Sequence, residues 1–163
     1  MSSSELDLPL RRSVLLAAKR ASQIVEKHGH ISAPIWHAIK SDGQPLVIGQ
    51  FTPDRETQLV LLRTLFELQN VVRYIAVCEA WVAKVDLPAG SEEPKRGAAV
   101  NHPNRYEVLL IHGEDIREGL LIAQRKITRD DRGRPTLGEL IIDSHDDCSG
   151  AMIGLLPRKT TTH

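Results

Sequence analysis

The stretch from Arg73 to Val85 constrains the fold most, because it is apolar on both of the faces a β-strand would present. Side chains alternate along a strand. One face therefore carries Ile75, Val77, Glu79, Trp81, Ala83 and Val85, and the other Tyr74, Ala76, Cys78, Ala80, Val82 and Lys84. Such a strand gains its full hydrophobic burial only when both faces are covered. It belongs in the middle of a sheet, and the rest of the chain must supply the cover. On this reading Trp81 is a core residue, and its removal would cost on the order of 3–5 kcal/mol.

Two helices are legible. From Leu8 to His28, the residues Val14, Ala17, Ala18, Ala21, Ile24, Val25 and His28 recur at helical spacing, and Gly29 is suited to end the helix. A second helix opens at Thr52-Pro53-Asp54-Arg55-Glu56, with Thr52 as the cap, Pro53 in the first position and two acids at the positive end of the dipole. It runs to about Asn70. Leu59, Val60, Leu61, Leu62, Leu65, Phe66 and Leu68 spread over more than one stripe, which predicts the more buried of the two helices, touching the first as well as the sheet.

The remaining segments read as strands. Ile35–Ile39 and Leu46–Phe51 flank Ser41-Asp42-Gly43-Gln44, a hairpin signal that predicts a type I′ turn, with Pro45 at a strand start. Tyr106–His112, Leu120–Arg129 and Thr136–Asp143 form a meander, with Gly113, Gly119, Gly133 and Gly138 at its turns and bulges. Residues 86–104 are a long Pro- and Gly-containing loop. Met152–Leu156 either adds a short strand or packs on the core, and Arg158–His163 frays. The fold class is α+β: one domain over 1–163, with flexible ends at 1–7 and 158–163. An antiparallel sheet of about five to six strands carries two helices, in the order αββαβββ with room for one more strand. At 163 residues the chain is long enough for a self-sufficient core.

Composition argues against several function classes. Lys plus Arg and Asp plus Glu number 21 each, without the basic excess that nucleic-acid binding draws on. Aromatic residues are 4% of the chain, too few for a base-stacking platform. The two cysteines, Cys78 and Cys148, make no disulfide framework, and Cys78 reads as a small core residue. No secretory signal or membrane-spanning run is legible, so the expected location is the cytoplasm, with no membrane partner.

No catalytic, metal or nucleotide motif stands out. Glu79 is the most informative polar residue, since strand alternation aims it at an apolar layer, where a carboxylate must be paired or neutral. A raised pKa there would suit a general acid or base. The ordinary reading is a structural ion pair, with Arg105 or Arg125 as partner. The strand entry His102-Pro103-Asn104-Arg105-Tyr106-Glu107 puts Arg105 and Glu107 on one face, as an anion clamp beside Glu79 or as a register-setting pair. Glu79, Trp81, His102, Arg105 and Glu107 are thus the candidate binding or acid–base residues. His28-Gly29-His30 and His145-Asp146-Asp147-Cys148 hold ligand types, but no zinc spacing joins them, so no metal and no cofactor is expected. Arg125, Lys126, Arg129, Arg132 and Arg134 gather at one hairpin, interrupted by Asp130 and Asp131; a solvated tip is expected, with a DNA-reading β-ribbon as the weaker alternative.

The element order resembles profilin-like and roadblock-like domains, which place helices against an antiparallel sheet. Val77-Cys78-Glu79-Ala80-Trp81 followed by His102–Leu109 is similar to small uncharacterised bacterial and phage-type proteins. In those, a Glu-Ala-Trp strand precedes a Pro-x-Arg-x-Glu strand entry. That likeness spans Gln44 to Ile127 and implies no activity. The function expected is a non-enzymatic interaction or small-ligand-binding domain, with a protein partner or small ligand and homodimerisation through a sheet edge or the apolar tail. The alternative is a hydrolase-like enzyme with an acid–base site around Glu79.

Overall fold

The doubly apolar strand is the centre of the molecule. A computed structural model describes residues 4–83, 90, 98–144 and 154–157. In it β3 (Val71–Val82) stands third in a six-stranded antiparallel sheet of order β2-β1-β3-β4-β5-β6. The other strands are β1 (Ile35–Lys40), β2 (Pro45–Ile48), β4 (Tyr106–Asp115), β5 (Gly119–Arg129) and β6 (Pro135–Ser144). The two helices, α1 (Leu10–His28) and α2 (Arg55–Leu68), complete the α+β order.

The helices cover opposite faces. Leu10, Val14, Ala18, Ala21 and Val25 of α1 pack with Ile75, Leu109, Ile111, Ala123 and Ile127. Leu59, Leu62 and Phe66 of α2 pack with Trp36, Ala38, Tyr74 and Ala76 on the other side. Adjacent residues Tyr74 and Ile75 thus feed two separate cores. Each buried Val, Leu or Phe among them contributes roughly 1.5–3 kcal/mol. The expectation that α2 is the more buried helix and touches α1 is corrected: a whole sheet lies between them. The surplus apolar residues of α2 face outward, with Val60 59% and Leu68 72% exposed. Ile24 and His28 of α1, placed on its inner stripe by spacing, are exposed as well.

Helix α1 lies over β3 to β6. Its close approach depends on Gly113, which lies inside β4 rather than in a turn. A Cβ at Gly113 would stand 2.7 Å from Ile75 Cδ1, 2.8 Å from Val14 Cγ2 and 3.0 Å from Leu10 Cδ1.

Local details differ from expectation for identifiable reasons. The β1–β2 connection is a type I turn closed by a bulge, not type I′. Only Gly43 has positive φ, at +83°, and its N–H donates to the Lys40 carbonyl at 2.9 Å. Asp42 instead accepts the Gln44 N–H at 3.0 Å. The β5–β6 connection repeats this geometry, with Gly133 at +76° and Asp130 accepting from Arg132 and Arg134. Asp54, not Thr52, caps α2, accepting both the N–H and the hydroxyl of Thr57, bonds that lower its carboxyl pKa. Pro53 lies just before that cap. Leu155 and Leu156 pack into the α2-side core, and their N–H groups donate to Glu114 at 3.0 and 3.4 Å. The expected frayed end at Arg158–His163 and most of the 86–104 loop lie outside the described residues.

Candidate functional site

Both ends of α1 are tied to the sheet by ion-pair networks, and these explain most of the charged residues on that face. At the N-terminal end Arg73 is wholly buried on β3, directly across from Asp115 on β4. Its guanidinium donates to Asp115 (2.8 Å), Glu118 (2.8 Å) and the carbonyls of Glu5 (3.1 Å) and Leu8 (2.7 Å). Pro9 offers α1 no side-chain cap, and Glu118 takes that role from the β4–β5 turn by accepting the Leu10 N–H. Burial alone would raise the Asp115 carboxyl. Hydrogen bonds from Arg117 N–H, Arg73 and Glu118 N–H outweigh that and hold it below the usual range. Residues 5–7, read from sequence as part of a flexible end, therefore lie in a segment that Arg73 fastens through the Glu5 and Leu8 carbonyls; residues 1–3 lie outside the described ones.

At the C-terminal end Arg129 is the organiser. It grips Glu107 through two bonds of 2.9 Å, approaches Glu79 at 3.6 Å and donates to the Gly29 carbonyl at 2.7 Å. Glu79 accepts the Ile31 N–H at 2.7 Å. The partner of Glu79 is thus Arg129, not Arg105 or Arg125. Arg125 donates instead to the Gly138 carbonyl and to Ser22. Alternation explains the outcome: Glu79 pairs with Leu109, and Glu107 with Ile127, so both acids and Arg129 share the α1 face.

The remaining candidates stand apart from that cluster. Trp81 is 45% exposed beyond the end of α1, with the Arg105 guanidinium 4.9 Å from its ring centroid. The core role expected for Trp81 is corrected, since α1 ends before reaching it. Arg105 also donates to the Val100 carbonyl. His102 accepts the Asn104 N–H through Nδ1 at 3.1 Å. Among the described residues, no hydrogen bond or ion pair joins Glu79 to His102 or Arg105.

Cys78 is buried, and burial pushes its thiol up to about 11, so it stays a thiol at neutral pH. Among the described residues, no group of three or more His, Cys, Asp and Glu side chains is placed to hold a metal. His145-Asp146-Asp147-Cys148 lies outside them. On the α2 side His112 is buried edge-on to Tyr74, with centroids 5.8 Å apart. Burial and the neighbouring Glu114 carboxylate push the Tyr74 phenol upward.

Sequence patterning missed a concavity beside α1. Because α1 sits over β3 to β6, its flank and the same face of β1 form the two sides of a groove of about 640 Å³. Leu16, Ile24, Ile31, Ile35 and Val77 supply apolar lining, and Arg20, His28 and His30 supply polar groups. Near the other end, Glu5 and His37 meet at 2.7 Å. The volume falls in the range typical of small-molecule sites, and the lining has their usual mixture of apolar walls and few polar groups. Leu16 and Ile24 are large apolar residues that α1 exposes beside its buried stripe, and spacing alone had put Ile24 on that stripe.

Among the described residues, no helix is long and apolar enough to cross a membrane. Comparison with known proteins finds no family model, no curated protein and no solved structure that matches the chain.

Proposed function

We propose that this chain is a non-enzymatic binding domain and that the groove between α1 and β1 receives a small ligand. The observation that carries this reading is the groove itself: about 640 Å³ of mainly apolar space. One of its walls is anchored at both ends by Arg73 and Arg129. A wall held in this way is preorganised, so binding need not offset the ordering of a loose helix. The acid–base alternative at Glu79 draws no support from the geometry, because that carboxylate is engaged by the Ile31 N–H and stands beside Arg129.

The proposal includes a cytoplasmic location, since a free buried thiol at Cys78 suits a reducing compartment. It also includes homodimerisation through β6, a ten-residue strand at the sheet edge.

The test uses a neutral apolar fluorophore, N-phenyl-1-naphthylamine, titrated into the folded chain. Saturable binding that is lost in Ile24→Trp, with unchanged circular dichroism, is the expected result. Binding that survives this filling of the groove, or no saturable binding at all, would overturn the assignment.

A further inference from the structure

We infer that the groove takes an amphipathic organic anion, its apolar body along α1 and its carboxylate or similar head at Arg20; this rests on the groove being the ligand site. Arg20 lies four residues after Leu16 and four before Ile24, so all three share one flank of the helix. Its guanidinium is therefore bracketed by apolar side chains on the wall a ligand would touch.

The charge balance of the lining selects the sign of the ligand. The lining includes one carboxylate, Glu5, already engaged by His37 at 2.7 Å. Among the described residues, no carboxylate lies within ion-pair distance of Arg20. A free guanidinium beside an apolar wall is an anion site in which the hydrogen bonds are charge-assisted. A cationic amphiphile would meet Arg20 as a like charge, and a neutral one would leave it unused.

The position of the head follows as well. The groove runs beside α1 to its C-terminal end at His28, where the helix dipole is negative. That end disfavours an anion, whereas Arg20 lies about 12 Å back along the helix at 1.5 Å per residue. His28 and His30 then flank the apolar tail of the ligand rather than its head.

The experiment compares three probes with one ten-carbon tail: decanoate, decanol and decyltrimethylammonium. Each is titrated below its micelle concentration by calorimetry into the full chain and into Arg20→Gln and Ile24→Trp. Arg20 is solvent-exposed, so Arg20→Gln folds normally. The expected result is decanoate binding about tenfold tighter than the other two, with Arg20→Gln erasing that preference and leaving decanol unchanged. Equal binding of all three probes, blocked by Ile24→Trp, would overturn the anion assignment while keeping the groove. A decanoate preference that survives Arg20→Gln would overturn the role of Arg20. Absence of binding by any probe would overturn both the anion assignment and the groove.

Discussion

Both carboxylate oxygens of Glu118 accept the backbone N–H of Leu10, at 3.2 and 3.1 Å, so a residue in the β4–β5 turn caps a helix 108 positions earlier. The same carboxylate receives Arg73. Arg73 is consequently the residue on which the N-terminal end of α1 depends.

Arg73→Met should destabilise the chain by about 3–5 kcal/mol, because it leaves the buried Asp115 carboxylate without its guanidinium. Combining it with Asp115→Leu should recover part of that loss, since both buried charges are then gone. Urea denaturation of the two single variants and the double variant measures the coupling. Strict additivity would show that the pair does not act as a unit.

Acid should weaken the fold through Asp115. Its carboxyl is lowered on folding from an ordinary value of 3.8. Such a group contributes stability above its unfolded value and loses it as pH falls through the lower folded value. The loss therefore develops below about pH 4. Asp115→Asn should be less stable at neutral pH, yet lose less on going from about pH 4 to about pH 2. Denaturation midpoints across that interval give the comparison, and parallel curves would rule the mechanism out.

Gly113→Ala should cost about 1–3 kcal/mol, since the added methyl meets Ile75 and Val14 in a packed layer. Trimming Ile75 to Val removes the Cδ1 that stands nearest, so the double variant should lose less than the sum of the two singles. Thermal unfolding of the three proteins tests this, and full additivity would place the strain elsewhere.

Trp81→Ala should change stability by no more than about 1 kcal/mol, as for other exposed residues. The chain has two tryptophans, and Trp36 is 1% exposed. Acrylamide should quench the emission of Trp81 and largely spare that of Trp36. Quenching that persists in Trp81→Phe would place Trp36 at the surface.

Periodicity in the sequence carried the architecture because it reports what each element must bury. The two apolar faces of β3 announced a central strand, and the α1 stripe around Val14, Ala18, Ala21 and Val25 announced a helix against it. The extent of cover was not legible. Trp81 alternates with Ile75 and Val77 like any core residue, yet α1 ends before reaching it. Leu61 and Leu68 resemble core residues of α2 and face solvent, because helix pattern alone does not state the width of the sheet beneath. The ion pairs were legible in kind and not in partner. Glu79 was identifiable as a carboxylate that needs a cation, but choosing Arg129 over Arg125 requires the register of β4 against β5. The groove was hidden for the same reason: it exists where α1 leaves β1 uncovered, a property of placement rather than of any one segment.

The two fastenings of α1 also order the events of folding. One joins residues 108 apart in sequence and the other residues 100 apart. Neither can close until β4 and β5 have paired, because Glu118 and Arg129 belong to that hairpin. Long-range closures of this kind slow a folding reaction. Helix α1 precedes that hairpin in the chain, and until β4 and β5 have paired the apolar face of Leu10, Val14 and Val25 lacks the sheet surface that covers it.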